Sequence, residues 1–155
     1  MKTRIQSHRS RAILALLVVL ALLCLAFIFG NSTLDRDGST AQSDRVIDWL
    51  RPILDPHGRL GDGRLTALVR KGAHACEFFV LGLCISAVAV TVGLRGRWAP
   101  FGMAGVCLAV AAVDEFIQSF SDRSPQMSDV LLDLCGAAVA IALVYLLAHR
   151  RPKEK

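Results

Sequence analysis

Four long apolar runs, Ala12 to Phe29, Gly72 to Leu94, Trp98 to Gln118 and Asp129 to Ala148, follow one another along the chain with more polar segments between them. None shows the apolar/polar alternation of a half-buried strand, and all are rich in Leu, Ala and Val, which argues helix. Each has close to the roughly 17–25 residues that a helix rising about 1.5 Å per residue needs to cross the hydrocarbon of a bilayer. Only helices or closed barrels can span, because backbone groups left without partners in lipid are costly. The pattern predicts an all-α membrane protein with four transmembrane helices, folded as a single domain over residues 1–155.

The connection over residues 30–71 has a pattern of its own. Ser43 is placed to cap a helix beginning at Asp44, after which Val46, Ile47, Leu50 and Leu54 recur at helical spacing, with Asp44, Arg45, Asp48 and Arg51 elsewhere around the wheel. This predicts a short amphipathic helix lying in the membrane interface, where Trp49 suits the headgroup level. A solvated linker is the alternative. Pro52 weakens the last turn, and Pro56, Gly58, Gly61 and Gly63 mark an irregular stretch before Leu65 restarts the helical pattern.

Composition agrees with the membrane assignment: 54% of the 155 residues are hydrophobic, above the share usual in soluble domains. Charge adds orientation. Lys2, Arg4, Arg9 and Arg11 precede the first span, Arg95 and Arg97 lie between the second and third, and Arg150, Arg151, Lys153 and Lys155 follow the fourth. By the positive-inside rule these ends are cytoplasmic, which predicts a multi-pass protein of the cell inner (cytoplasmic) membrane with both termini inside and residues 30–71 extracytoplasmic. The net charge of +5 reflects that topology; without aromatic interleaving it gives no reason to expect nucleic acid as a partner. A cleaved signal peptide is the rival reading of the first run. Its apolar stretch exceeds the roughly 7–15 residues of a signal core, and Phe27, Ile28 and Phe29 stand where small residues would be wanted, so an uncleaved anchor is expected.

The ionisable residues within the apolar runs are concentrated. Arg70, Lys71, His74 and Glu77 open the second span, Asp114, Glu115 and Gln118 close the third, and Asp129 and Asp133 open the fourth. With alternating directions, all three groups fall at one membrane surface. Arg70, His74, Glu77 and Leu81 share one helical stripe, Asp114 and Gln118 another with Glu115 turned about 100° away, and Asp129, Asp133, Gly136 and Ala140 a third. Small residues in the last stripe permit close backbone approach. Charges at mid-bilayer cost roughly 2.5–3.5 kcal/mol each on insertion scales, so several at one depth imply a shared polar site. Arg70, Lys71 and Arg123 are available to pair with Glu77, Asp114, Glu115, Asp129 and Asp133. A salt-bridge network that only fixes helix packing is the competing explanation, but carboxylates in excess of cations, with a histidine, go beyond what packing needs.

Five cysteines, Cys24, Cys76, Cys84, Cys107 and Cys135, lie in the apolar runs without CxxC or Cys/His spacing, so packing is their expected role. Cys76 and Cys135 lie near the polar cluster, where a thiolate could be stabilised. One His with several carboxylates makes a conceivable oxygen-rich metal site, but HExxH is absent and no second His lies near His74, so no metal ligand or cofactor is assigned.

The ordered set Arg70-Lys71-x-x-His74-x-x-Glu77-Phe78, Asp114-Glu115-x-x-Gln118, Arg123, and Asp129 with Asp133 and Gly136 resembles the VanZ-like family of bacterial membrane proteins, from about Ser43 to the fourth span. The resemblance implies a cell-envelope setting and a link to resistance against the glycopeptide antibiotic teicoplanin. The chain departs from the family in Phe78 where Tyr is common, Asp133 where Asn is frequent, and Ala140 where a second Gly often occurs.

Three functions follow as expectations. The first is binding or shielding of an amphiphile at the outer surface, a lipid-linked cell-wall intermediate or a lipophilic glycopeptide, its headgroup on the cluster and its chain along the spans; arginine grips phosphate by paired hydrogen bonds and lysine as a point charge. The second is an intramembrane acid/base or metal-assisted enzyme on a lipid-linked phosphate, with Glu77 or Asp114 as acid and His74 as proton shuttle. The third, proton-coupled transport, is disfavoured because the acids stop at one surface and the remaining span depth offers few polar groups.

Overall fold

A computed structural model of the protein describes residues 2–33, 36–120 and 126–150, with the side chains of 2–8, 36–43, 45 and 150 excepted. Five helices follow in order: α1 (Lys2–Ser32), α2 (Arg36–Leu54), α3 (Asp62–Thr91), α4 (Ala99–Gln118) and α5 (Met127–Arg150). There is no strand among the described residues, and α1, α3, α4 and α5 are each long and apolar enough to cross a membrane. Large apolar side chains cover their outsides, among them Leu16, Leu23, Phe101, Phe116 and Leu146. In water that surface would aggregate; in a bilayer it is the solvated one.

Helix α3 is the centre of the bundle, and α5 packs most extensively along it. Two glycines explain how. A Cβ added at Gly136 would collide with the carbonyl oxygen of Ala75, and one at Gly82 would lie 2.8 Å from the carbonyl oxygen of Ala137 and 3.0 Å from the Ala140 Cβ. The backbones thus meet directly at two levels, the kind of approach that small residues make possible in lipid. Lys71 meets Asp129, Ala75 meets Gly136 and Gly82 meets Ala137, so α3 and α5 run parallel. Phe78, Leu81, Cys107, Ala111, Ala137 and Ile141 fill the core, with Ile28 of α1 capping it.

The ends of α3 differ from expectation. The helix begins at Asp62, not near Leu65, with Gly61 as its N-cap, so Gly63 belongs to the first turn. It stops at Thr91 rather than continuing to Leu94, because Gly93 takes φ +87° and Leu94 N–H turns back to Ala89 O at 2.8 Å. At 30 residues α3 is about 45 Å long, against about 30 Å of hydrocarbon, so its first turns project beyond the apolar layer.

Helix α2 also begins earlier, at Arg36 rather than Asp44, which places Ser43 inside the helix instead of at its cap. The preceding segment has one glycine and no proline, so nothing arrests the helix there. Its apolar residues divide between two directions. Ile47 is buried and Leu50 half-buried on the side towards α3, whereas Val46, Trp49 and Ile53 form an exposed stripe. Asp55 orders the turn that follows, its carboxylate accepting from Arg59 N–H (2.7 Å) and Leu60 N–H (2.9 Å), and Gly58 supplies the left-handed residue at φ +62°. An exposed Arg51–Asp62 pair at 2.8 Å ties the two helices. The hydrogen bond to Asp62, with that carboxylate's charge, raises the Arg51 pKa further above its ordinary value; exposed pairs of this kind add little stability. In a Trp98→Phe background, Trp49 fluorescence is expected to be quenched by lipids brominated near the headgroup. Absence of quenching would place α2 away from the bilayer.

Candidate functional site

The four spanning helices bring their polar turns together at one end. After its basic opening turns α1 stays apolar until its last turn, where Asn31 and Ser32 sit beside α3 and α4. Ser32 is buried and donates from Oγ to Asp114 Oδ1, and Asn31 Nδ2 donates to Glu77 Oε1 at 3.1 Å. On α4, the spacing of four that sets Asp114 and Gln118 on one face lets Gln118 Nε2 donate to Asp114 Oδ2 at 2.8 Å. Asp114 is therefore fully enclosed, at 0% exposure, with neutral donors on both oxygens. Such donors are how a buried carboxylate is made tolerable without a Lys or Arg partner.

From α3, His74 Nδ1 comes to 3.9 Å from Asp114 Oδ2, beyond a hydrogen bond but within an ion-pair contact. From α5, Asp133 is 2% exposed. Glu77 stands one turn deeper than His74, towards α1. Three buried side-chain polar atoms lack a hydrogen-bond partner among the described residues, and two of them, Glu77 Oε2 and Asp133 Oδ1, belong to this cluster.

Nearer the surface the arrangement opens. Lys71 Nζ donates to Asp129 Oδ1 at 2.7 Å, and Ser128 Oγ reaches the same oxygen at 3.1 Å. Above lies a polar pocket of about 130 Å³ lined by Arg70, Lys71, His74, Gln118, Gln126 and Asp129. Among the described residues no hydrogen bond or ion pair engages the Arg70 guanidinium. Counted up from Thr91, His74 stands about 26 Å and Arg70 about 32 Å along α3. If Thr91 marks the far boundary of hydrocarbon about 30 Å thick, the buried acids fall within the apolar layer near its other boundary and the pocket mouth at that edge.

Of the residues expected in the site, Arg70, Lys71, His74, Gln118 and Asp129 line the pocket, while Glu77, Asp114 and Asp133 lie beneath it. Glu115 does other work: its Oε1 accepts the Gln126 N–H just ahead of α5, closing the α4–α5 connection. That agrees with its turn away from the Asp114 face. Arg123 lies outside the described residues. Asn31, Ser32 and Gln126 were not foreseen. The signal for the first two is a polar pair at the end of a span that finishes on the cluster's surface. Cys76 and Cys135, considered near enough to the cluster to be reactive, lie exposed on the outside of the bundle; Cys107 is buried and Cys24 and Cys84 partly so. Neighbours on a helix diverge by about 100°, which sends Cys76 outward when Glu77 points in.

Two apolar grooves lie elsewhere. One of about 360 Å³ lies between α4 and α5 around Phe101 and Tyr145, and one of about 320 Å³ between α3 and α4 around Val92 and Met103, both towards the end that carries Arg95 and Arg97.

No curated protein and no solved structure matches the chain to a significant degree. Residues 16–148, which hold most of the first span, nearly all of the other three and every polar group of the cluster, match the profile of VanZ/LLP1, and on that match this multi-pass membrane protein belongs to the VanZ/LLP1 family.

Proposed function

We propose that the protein binds the anionic headgroup of an amphiphile at the outer surface of the cytoplasmic membrane. The observation that carries this is Arg70, a cation without a protein partner among the described residues, at the mouth of a polar pocket placed at the hydrocarbon edge. A pocket of about 130 Å³ suits a phosphate-sized group with a few waters rather than a saccharide or a glycopeptide core. A lipid-linked phosphate is the ligand class that combines such a group with an apolar chain left in the bilayer. Arg70 would grip the phosphate through paired hydrogen bonds, while Gln118 and Gln126 offer neutral donors. The outward orientation is supported by Arg9, Arg11, Arg95 and Arg97 lying at the opposite end. A link to glycopeptide resistance, which the family resemblance implies, fits a protein that holds or shields an envelope lipid.

In nanodiscs, the protein is expected to bind a polyisoprenyl phosphate and not the matching polyisoprenol. Arg70→Ala should weaken that binding by about tenfold or more, the scale of a lost charge-assisted hydrogen bond, while the folded yield is unchanged. Equal affinity for phosphate and alcohol, or for wild type and variant, would end this reading. In cells, deletion should sensitise to lipophilic glycopeptides more than to non-lipophilic ones.

A further inference from the structure

The acids beneath the pocket present a problem that the headgroup reading leaves unsolved. Lys71 is committed to Asp129, and the cations nearest the surface do not reach Asp133 or Glu77 within ion-pair distance among the described residues. Glu77, Asp114 and Asp133 are nevertheless close enough for their charges to act on one another. Neutral donors satisfy Asp114, but Asp133, 98% shielded by its 2% exposure, keeps Oδ1 without a partner. One atom from each of His74, Asp114 and Asp133 lies within 4.8 Å of the others.

We infer that His74, Asp114 and Asp133 form a binding site for a divalent transition-metal ion, Mn2+ or Zn2+. At metal–ligand distances of about 2.1 Å, ligands on opposite sides of an ion are about 4.2 Å apart, so the present spacing needs only small side-chain adjustments. The 3.9 Å between His74 Nδ1 and Asp114 Oδ2 is too long for a hydrogen bond and suits two ligands of one ion. An imidazole with two carboxylates favours Mn2+ or Zn2+ over Ca2+ and Mg2+, which take oxygen sets. Ser32 and Gln118, donating to Asp114, hold that ligand's orientation as outer partners of metal ligands do. Lack of a second histidine argued against a metal from sequence; the fold supplies carboxylates from two other helices instead. His74 also lines the pocket above, so the ion would lend positive charge to the pocket floor. That last consequence rests on the headgroup reading, whereas the ion site does not.

The test uses the full chain in nanodiscs, stripped with chelator and then given Mn2+ or Zn2+ alone. Metal retained after desalting should approach one equivalent of one of these ions, and the melting temperature should rise by something on the order of 5 °C at saturating ion. His74→Gln and Asp133→Asn should each weaken retention at least about tenfold, and the exposed Asp48→Asn should leave it intact. No saturable binding of either ion by the wild-type chain, or retention by His74→Gln and Asp133→Asn equal to wild type, would overturn the site. Because no amphiphile is present, this failure is distinct from failure of phosphate binding. If the ion site is right and the headgroup reading wrong, metal binds and polyisoprenyl phosphate does not.

Discussion

Gly136→Val is expected to abolish recovery of folded protein, or to lower its melting temperature far more than replacement of a glycine in open space. The side chain has nowhere to go. Even a methyl group at this position would collide with the Ala75 carbonyl oxygen, which is helix backbone and cannot rotate aside. Relief requires α3 and α5 to separate, and overpacking of this kind costs about 1–3 kcal/mol when surroundings can adapt and more when they cannot. Separation would also pull Lys71 from Asp129 and His74 from Asp133, so the site is lost with the packing. Gly102→Ala is the matched control, since a Cβ there meets nothing within 4 Å, and replacing a helical glycine with alanine should be neutral or favourable. Thermal unfolding in detergent, followed by size-exclusion recovery, measures both. Equal recovery for Gly136→Val and Gly102→Ala would mean that α3 and α5 are not in backbone contact.

The second large effect has the opposite sign. Asp133→Asn is expected to raise the melting temperature of chelator-treated protein while removing the stabilisation given by Mn2+ or Zn2+. Asp133 is enclosed, has an oxygen without a partner, and stands among Asp114, Asp129, Glu77 and Glu115. A buried carboxylate so placed is retained at a cost in stability, and a neutral amide of the same shape relieves the mutual repulsion of its neighbours. About 1–2 kcal/mol of relief corresponds to roughly 2–8 °C for a chain of this length. The same change deletes one of three metal-site ligands, so stability without metal and response to metal should move in opposite directions. A variant that melts lower than wild type in chelator would show that Asp133 is a structural acid with a protein partner.

Much of the framework is visible in the residues before any folding is considered. Four spans emerge because lipid demands long apolar runs, and the meeting of Lys71 with Asp129 and of His74 with Asp114 follows from counting helix directions. The close approach at Gly136 and Ala140 is likewise legible, since small residues recur on the stripe that carries Asp129 and Asp133. The parts that stayed hidden depend on geometry between helices. Asn31 and Ser32 look like an ordinary polar exit from a span until α1 is laid against α3 and α4. Glu115 lies near enough to Asp133 to act on it, but that its Oε1 takes the Gln126 N–H shows only once the 100° offset is joined to the position of Gln126. The two-sided apolar surface of α2 could not be divided in advance, because Ile47 and Trp49 differ in environment only once α3 is in place. Helix ends moved for local reasons: Gly93 stops α3 early, and nothing between Arg36 and Asp44 stops α2 from starting early.

The last turn of α1 has a practical corollary for anyone handling the protein. That helix has few buried residues and looks dispensable, a leader to be trimmed or replaced by a secretion tag. Its removal would strip Asp114 of the Ser32 hydroxyl and Glu77 of the Asn31 amide, leaving two carboxylates bared to hydrocarbon. Shortened versions should therefore keep this helix through Ser32, and a tag belongs ahead of it.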